Sequence, residues 1–563
     1  MAELPAFRGR VLAQFLGDAS FAVDWASDDE RNQMWWYDDL HCPNPISPLW
    51  FDVGGWWHTC DYLFRRFGFP LATDWRAKNV NGYVYSAVVP AEPAYSGEIG
   101  AYFGAVMPIY ASSFLDWWRN DLRLEIERNF AVLDGYDDAA ATLPELMIHL
   151  ENALDIQERH WRIHWILNLA QFQASLDLQA AIKVTIGEVD GELLGKVLVS
   201  DDDRNWDSIR ALWELKNQVR RDRALRAAFE ADTAGAILRR LAAAGPSGTA
   251  FLAAIDDYGR EYGNRSLYAH EYIYPLWREN HAPIVETINS YVDSDYDFPA
   301  ALEKVRKVRD AALADLRGRV PAGADASAFE AALDRALKMA PLTPDHHFYI
   351  DQGTYARLRL VFLAVGRKLA ALGRIGGAED VFYLRYHEIR VASANSDALD
   401  ARAIVSERRT ARDLAFRVRP REWVGTVTEW DLYTEPYKSL WGYPEKFHRS
   451  QAPPKAGDTI EGLPASAGIA EGIARVVASP AEFDLVRPGE ILVCKMTSPS
   501  WIVVFTKIRG LVTDAGGALS HPAVVSREFG IPAVVGTTLG THMIRTGDRV
   551  RVNGSLGTVE VLR

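Results

Sequence analysis

The spacing of apolar positions predicts long helices over most of the chain. In residues 151–177 apolar side chains recur at intervals of three, four and seven residues, which is the spacing of one helix face. The alanine-rich, charged segments 204–243 and 299–318 are amphipathic at the same spacing, and glycine- and proline-containing breaks separate them. Another long helix is predicted over 350–373. The first part of the chain is therefore predicted to be mostly helical.

The pattern changes after a polar, proline-containing stretch at 447–461. Beyond it, short runs rich in valine and isoleucine alternate with turns that contain glycine, which is typical of strands. The runs are ARVVAS, EILVCK, GLVTD, RVRVN and TVEVL. We therefore predict a multidomain protein of α and α/β class. A large, mostly α-helical domain occupies 1–446, a linker 447–461, and a compact β/β/α domain 462–563.

Aromatic side chains are concentrated in the N-terminal quarter. Nine of the 18 tryptophans lie between Trp25 and Trp118, in clusters such as MWWYDDL, WFDVGGWWH and FLDWW. A large helical core accounts for part of this ring surface. The remainder, with Trp35 and Trp36 among them, is expected to line a pocket for a flat, apolar substrate.

Composition excludes several classes of protein. The net charge of −13 argues against a broad nucleic-acid surface, and three scattered cysteines are too few for a disulfide framework or a zinc site. His160 and His164 are four residues apart, which can suit a metal, but no HExxH motif accompanies them; packing is favoured and no metal is expected. Without a signal-peptide core or a membrane-length apolar run, we expect a soluble, cytoplasmic protein.

The most specific chemistry lies in LVTDAGGALSHPAVVSREFGI, residues 511–531. Gly516 and Gly517 allow a tight turn and leave room for a bulky group. Ser520 is a good N-cap for a helix that starts at His521. A phosphoryl group on this histidine would therefore face backbone N–H groups and the positive end of the helix dipole.

From Gly462 onward the chain resembles the swivelling phosphohistidine domain of the PEP-utilising enzymes, such as PEP synthase, pyruvate phosphate dikinase and rifampicin phosphotransferase. Four segments carry the resemblance: GLPASAGIAEGIARVV, GEILVCKMTSPSWIVVF, GLVTDAGGALSHPAVVSREFGIPAVVGT and TGDRVRVNGSLGTVEV. The pattern GG-x-x-[ST]-H-x-A is matched, with Pro522 where a small residue is more common. The resemblance implies that His521 is the phosphoryl carrier. The residues it implies around this carrier are Thr513, Gly516, Gly517 and Ser520. A structural histidine in a generic α/β domain is the alternative.

The helical part resembles the substrate-binding domain of the rifampicin phosphotransferase group. The resemblance rests on NQMWWYDDLHCPNPISPLW, YGNRSLYAHEYIYPLWREN and GRKLAALGRIGGAEDVFYLRYHEI. Where that group often has G-H-R, this chain has Asn264 in place of the histidine. The departure indicates a different substrate.

Two segments, RSLYAHEYIYPLWRE and DHHFYIDQGTYARLR, contain side chains suited to phosphoryl transfer. Transfer from phosphohistidine needs positive charge around the phosphoryl oxygens, and a phenolic acceptor also needs a base. Arg265 or Arg359 could hold the phosphoryl group, and His270 or His347 could be the base. The candidate acceptor-side residues are Arg265, His270, Glu271, Arg278, His347, Arg357 and Arg359. For each residue alone, a structural ion pair or a solvated charge is the alternative.

Neither an ATP-grasp domain nor a PEP/pyruvate barrel is expected within the chain. The leading hypothesis is the carrier-and-acceptor subunit of a two-component, AMP-forming phosphotransferase that acts on a small aromatic hydroxyl compound. Such an arrangement is similar to phenylphosphate synthase and the hydroxyphenylethanone phosphotransferases. The resemblance implies that ATP and Mg²⁺ bind to a separate ATP-grasp subunit. The alternatives are a subunit of a rifampicin-like antibiotic phosphotransferase and a non-catalytic phosphohistidine relay.

Overall fold

The protein is described by a computed structural model that covers residues 23–427 and 459–562. Within these ranges it omits residues 40, 190, 232, 267, 269, 293–295, 395–397, 419, 422, 479, 498–500, 506, 517–520 and 538. Most of the predicted linker at 447–461, together with Gly517 and Ser520, lies outside the described residues. The predicted domain boundaries therefore stay a prediction.

Contacts between Cα positions divide the chain into two compact units. Unit 1 consists of Met1–Ala170, His270–Tyr274 and Tyr349–Tyr437. Unit 2 consists of Gln171–Ala269, Pro275–Phe348 and Lys438–Arg563.

The predicted fold class is confirmed, because a large helical part is followed by a sheet domain. The helices are α1 (Asp28–Arg31), α2 (Cys60–Phe67), α3 (Pro93–Trp117), α4 (Arg123–Asp134), α5 (Leu143–Thr185), α6 (Gly191–Val197), α7 (Arg204–Arg221), α8 (Arg223–Ala228), α9 (Ala234–Ala243), α10 (Gly245–Tyr262), α11 (Ala282–Val292), α12 (Phe298–Gly318), α13 (Ser327–Met339), α14 (Leu342–His346), α15 (Tyr355–Ala371), α16 (Tyr386–Ala394), α17 (Ala401–Ala415), α18 (Ile502–Phe505), α19 (His521–Phe529) and α20 (Gly540–Met543). Over the described part of the chain, no helix combines the length and apolar composition needed to cross a bilayer.

The strands form two sheets. They are β1 (Trp35–Tyr37), β2 (Ala72–Val80), β3 (Tyr83–Pro90), β4 (Trp423–Val424), β5 (Thr459–Glu461), β6 (Leu463–Ser466), β7 (Ile469–Val477), β8 (Ile491–Cys494), β9 (Gly510–Thr513), β10 (Ala533–Val535), β11 (Arg549–Asn553) and β12 (Thr558–Leu562). The first sheet has the order β2-β3-β1-β4, and the second has the order β5-β12-β11-β7-β8-β9-β10-β6.

The four-stranded sheet of unit 1 was not predicted from the helical pattern. Its β2–β3 hairpin turns at Asn81 and Gly82, whose φ angles are 55° and 88°. Both residues of a type I′ turn need positive φ, and Asn-Gly is the strongest short hairpin signal. The Asn79 side chain also accepts a hydrogen bond from the backbone N–H of Gly82 at 2.9 Å. The sheet therefore has a local sequence cause, although its helical surroundings obscure it.

The sheet of unit 2 contains the predicted C-terminal strands. Strands β7, β8, β9 and β10 run parallel, and α19 connects β9 to β10. Residues of β8 are buried on both faces: Leu492 packs in one apolar core with α19 residues, and Ile491 packs in another with β11 residues. Such two-sided burial explains why EILVCK is a continuous apolar run and not an alternating one.

Candidate functional site

The carrier motif lies at the carboxyl end of a parallel strand in unit 2. Strand β9 ends at Thr513, and α19 begins at His521 and returns the chain to β10. Ligands of open parallel sheets bind outside the carboxyl ends of the strands. The first turn of a helix also presents backbone N–H groups without intrahelical partners. Position 521 is thus suited to an anionic group.

Hydrogen bonds hold the segment between β9 and α19. Thr513 is fully buried, its hydroxyl donates to the Ala515 carbonyl at 2.7 Å, and its carbonyl accepts from the Thr537 hydroxyl at 3.0 Å. Buried Asp514 accepts from the Thr541 backbone N–H at 2.8 Å. Gly516 has φ of 123°, a backbone conformation that side chains strongly disfavour. The backbone conformation at position 516 therefore explains why the motif has a glycine there.

Helix α19 is anchored along its buried face. Ala523 and Val525 lie in the apolar core beneath the sheet, and the Ser466 hydroxyl donates to the Ser526 carbonyl at 3.3 Å. Within unit 2 the helix also contacts α12. Arg527 is half-buried, and partial removal of its guanidinium from water lowers the pKa of that group to about 10. The helix that begins with His521 is thus a fixed part of its domain.

In unit 1, two glycines allow tryptophan rings to lie directly on the backbone. A Cβ on Gly54 would lie 2.4 Å from Cδ1 of Trp50, and one on Gly55 would lie 2.1 Å from Cζ2 of Trp57. Trp56 follows, and its ring centroid is 5.0 Å from that of Trp57. The segment WFDVGGWW therefore packs three rings closely. We refer to Trp50, Trp56, Trp57 and Trp161 as the tryptophan cluster.

His270 lies beside this cluster. Its ring centroid is 5.4 Å from that of Trp56, 6.2 Å from that of Trp50 and 6.4 Å from that of Trp161. Tyr355 adds a fourth ring at 6.0 Å. The structure thus brings together a predicted candidate base and part of the aromatic surface predicted to bind substrate.

Glu271 fastens the segment that carries His270. Its buried carboxylate accepts hydrogen bonds from the Ser47 backbone N–H at 2.5 Å, the Ser47 hydroxyl at 2.6 Å and the Tyr272 N–H at 2.7 Å. Arg359, also buried, donates to the Tyr272 carbonyl. Both predicted residues therefore hold the 270–274 segment in place.

An aspartate–histidine pair lies near both His270 and Trp56. Asp38 is fully buried; its carboxylate contacts Nδ1 of His41 at 2.8 Å and accepts from the Ser86 hydroxyl at 3.0 Å. The His41 ring centroid is 4.6 Å from that of Trp56 and 5.8 Å from that of His270. The sequence pattern alone did not rank the aspartates and the histidine of this segment as site residues. The signal was present, since Asp and His three residues apart follow β1 in WWYDDLH.

Each partner of the pair stabilises the charged form of the other. Burial favours neutral imidazole, but the charge of Asp38 and its hydrogen bond raise the pKa of His41. Burial likewise opposes ionisation of the acid, yet His41 and the Ser86 hydroxyl lower the pKa of Asp38. The carboxylate therefore stays ionised and the imidazole is a stronger base than an isolated histidine.

The remaining predicted residues of unit 1 make structural contacts. Trp35 and Trp36 are almost completely buried in strand β1, and Trp35 Nε1 donates to the Glu30 carbonyl at 2.8 Å. Arg357 donates to the Asp134 carboxylate at 2.6 and 3.0 Å. These contacts give the three side chains a clear role in packing.

The other candidates belong to unit 2. The Arg278 guanidinium donates to the Asn264 side-chain oxygen at 3.1 Å, and the Arg265 guanidinium lies 5.8 Å from the centroid of Trp277. The ring centroids of His346 and His347 are 4.1 Å apart. Asn264, which departs from the pattern of the resembling group, is thus a direct partner of Arg278.

His160 and His164 of α5, the pair considered as metal ligands, make hydrogen bonds to neutral groups. His160 contacts the Thr354 hydroxyl at 2.8 Å and the Asn129 amide at 3.0 Å. Burial lowers the pKa of His160 to about 3. His164 Nε2 lies 2.8 Å from the Asn168 amide nitrogen, and its Nδ1 lies 3.8 Å from the carboxylate of Asp351. These contacts are typical of histidines in a protein core.

Two parts of the chain match known families. Residues 486–557 match the family described as PEP-utilising enzyme, mobile domain. Residues 168–343 match the family described as rifampicin phosphotransferase fourth domain. The first match contains His521, and the second contains Arg265 and Arg278.

Known relatives extend the likeness. The chain is 28% identical over 552 residues to Uncharacterized phosphotransferase YvkC of Bacillus subtilis, covering 95% of this chain and 63% of that protein. It is 32% identical over 323 residues to Rifampicin phosphotransferase of Streptomyces sviceus, covering 56% and 35%. It is 49% identical over 102 residues to Probable phosphoenolpyruvate synthase of Staphylothermus marinus, covering 18% and 12%. The chain thus spans less than two thirds of the length of each of these relatives. Together with the motif around His521, the matches show that residues 486–557 resemble the mobile domain of the PEP-utilising enzymes and that the chain is similar to phosphotransferases that contain it.

Proposed function

We propose that this chain is the carrier-and-acceptor part of a phosphotransferase. His521 would carry a phosphoryl group and pass it to the hydroxyl of a small aromatic compound. The observation that supports this most directly is the position of His521. It is the first residue of α19, at the carboxyl edge of parallel strands, inside a segment that matches the mobile domain.

The local chemistry supports a carrier role for His521. The N–H groups of the first helical turn favour an anion, and the helix dipole adds to this preference. Phosphoryl transfer needs little covalent help beyond positioning and electrostatic stabilisation of the moving group. The rigid segment from Thr513 to Gly516, with its buried hydrogen bonds, supplies a fixed base for such positioning.

The acceptor is proposed to bind in unit 1, beside the tryptophan cluster. Three indole rings and Tyr355 surround His270, so a flat apolar ring would find complementary surfaces there. A phenol is mostly protonated at neutral pH, so its attack on phosphorus needs a base. The two imidazoles at 41 and 270 supply groups that can accept this proton.

The phosphoryl donor is proposed to be ATP, bound with Mg²⁺ on a separate ATP-grasp subunit and converted to AMP and phosphate. The support for this donor is the resemblance to the two-component phosphotransferases that use ATP, together with the match of residues 486–557 to a mobile domain that such a donor would load. In this arrangement the present chain needs its partner for loading of His521 but not for binding the acceptor.

A rifampicin-like antibiotic is the second candidate acceptor. The match of residues 168–343 to the fourth domain of rifampicin phosphotransferase favours it. The replacement of histidine by Asn264, which bonds to Arg278, favours a different compound. Acceptor size therefore separates the two candidates.

A transfer assay tests the proposal. The chain is loaded in an extract of its own organism with ATP, re-isolated at alkaline pH, and mixed with phenol, 4-hydroxyacetophenone or rifampicin. We expect loss of the phosphoryl group from His521 and formation of the phenyl phosphate ester, with no product from the His521→Ala variant. Transfer to rifampicin alone would favour the second candidate. Loading without transfer to any of the three would contradict a small-molecule acceptor and favour a relay to protein.

A further inference from the structure

We propose that Asp38 and His41 form the proton-accepting pair for the acceptor hydroxyl in unit 1. His41 takes the proton, and Asp38 acts as its positioning residue. The inference rests on the proposed function, because it specifies the site at which the acceptor is activated.

The geometry of the pair suits this role. Nδ1 of His41 lies 2.8 Å from the Asp38 carboxylate, which fixes the ring with Nδ1 as the donor and Nε2 as the acceptor. Within the described ranges, Nε2 of His41 makes no hydrogen bond to another residue. The His41 side chain keeps 32% of its surface accessible, whereas Asp38 has none. A solute can therefore reach the imidazole but not the carboxylate.

The surroundings distinguish His41 from the other histidines near the cluster. The charges of Asp38, Asp39 and Asp351 all favour protonation of His41. The ring centroid of His41 is 5.8 Å from that of His270 and 4.6 Å from that of Trp56. Aromatic surface next to a carboxylate-backed imidazole is the combination that a phenol needs, since the ring packs while the hydroxyl meets a base.

The proposed step balances. The acceptor hydroxyl gives its proton to Nε2 of His41, and its oxygen forms the new O–P bond. The N–P bond of phospho-His521 breaks, and its electron pair returns to the ring nitrogen. If the other ring nitrogen carries a proton, His521 leaves as neutral imidazole. The products are the phosphate monoester, neutral His521 and an imidazolium at His41 paired with Asp38.

Binding of 4-nitrophenol tests the pair without any phosphoryl group, because the phenolate and the phenol absorb at different wavelengths. With the full-length protein, we expect bound 4-nitrophenol to ionise about one pH unit below its midpoint in buffer, a tenfold shift. In His41→Gln this shift should be lost. The matched control is His58→Gln. His58 stands beside Trp57 and bonds to the Phe51 carbonyl, and among the described residues no carboxylate hydrogen-bonds to it, so the shift should remain.

The Asp38→Asn variant separates positioning from folding. Without the carboxylate the pKa of His41 should fall, so the rise of phosphoryl transfer with pH should move to lower pH while the maximal rate decreases. Binding of 4-nitrophenol should persist with a reduced ionisation shift. An equal ionisation shift in His41→Gln and wild type, or saturable binding without any shift in wild type, would overturn the inference. Absence of binding by the wild-type protein would overturn it as well. Failure to phosphorylate His521 would contradict the proposed function. It would not affect the 4-nitrophenol measurement, which involves no phosphoryl group.

Discussion

Replacement of Glu271 by glutamine tests how the 270–274 segment of the proposed acceptor site is held in place. In the folded protein one carboxylate oxygen accepts from the Ser47 backbone N–H at 2.5 Å. The other accepts from the Ser47 hydroxyl and from the backbone N–H groups of Tyr272 and Ile273, at 2.6, 2.7 and 3.2 Å. The carbonyl oxygen of a glutamine can still accept the three hydrogen bonds from the Ser47 hydroxyl and the Tyr272 and Ile273 N–H groups. Its NH₂ group then faces the N–H of Ser47, donor against donor.

The cost follows from these contacts. An unsatisfied buried donor costs about 1–3 kcal/mol, and hydrogen bonds to a charged group are stronger than those to a neutral one. Arg412 also loses a counter-charge, since the charge of Glu271 helps to raise the pKa of Arg412. We therefore expect local destabilisation of about 2–4 kcal/mol. That range corresponds to about 30-fold to 1,000-fold in an opening equilibrium.

Hydrogen exchange followed by mass spectrometry is the appropriate assay, because a chain of 563 residues is not expected to unfold in one step. Amides of Ser47, Tyr272 and Ile273 should exchange faster by that factor in Glu271→Gln. The matched control is Glu145→Gln, because Glu145 accepts from the backbone N–H and hydroxyl of Thr142, both at 2.7 Å, at an exposed position. Exchange in Glu271→Gln within about threefold of wild type would refute the anchoring role.

Three further predictions follow from the described residues. Because the pKa of His160 is about 3 when folded and about 6.5 when unfolded, acid favours the unfolded chain. The free energy of opening around His160 should fall by about 2 kcal/mol from pH 7 to about pH 5, and less in His160→Gln, as measured by hydrogen exchange of the neighbouring α5 amides after correction for the intrinsic pH dependence of exchange. Gly516→Ala should cost about 1–3 kcal/mol, because its φ of 123° is strained for alanine. Gly54→Ala should displace the Trp50 ring, lower thermal stability and weaken the fluorescence response to phenols. Gly104→Ala is the control for both glycines, since a Cβ there meets no atom within 4 Å.

The elements of the sheet domain could be predicted because their signals are local. Each buried parallel strand is a short apolar run, and β8 and β9 are buried at every position. The helices were also predictable, although the pattern over 204–243 resolves into three helices, α7, α8 and α9. The β2–β3 hairpin was missed even though Asn81-Gly82 is a hairpin signal. Its strands contain charged residues and stand in a helical context, which obscured the alternation.

The proposed acceptor site was only partly predictable, because its parts are distant in sequence. His270 and Trp56 are neighbours in space although more than two hundred residues separate them along the chain. Sequence spacing cannot show which of several arginines is buried and hydrogen-bonded to a distant backbone carbonyl. Arg359 is such a residue, since it donates to the carbonyl of Tyr272. The Asp38–His41 pair is local, but its significance depends on Ser86 of a neighbouring strand. Charge and imidazole content alone therefore pointed to segments but could not assign the contacts of their residues, and the site residues stay a prediction.

The central claim is that His521 carries the phosphoryl group, and mapping of the adduct tests it most directly. The tagged chain is incubated with ATP in an extract of its own organism, re-isolated at alkaline pH, digested and analysed by mass spectrometry, with His521→Ala in parallel. The account predicts an acid-labile phosphoryl group on the peptide that contains residues 521–529 and none on the corresponding peptide of the variant. An adduct on another histidine, or phosphorylation and transfer that persist in His521→Ala, would contradict it.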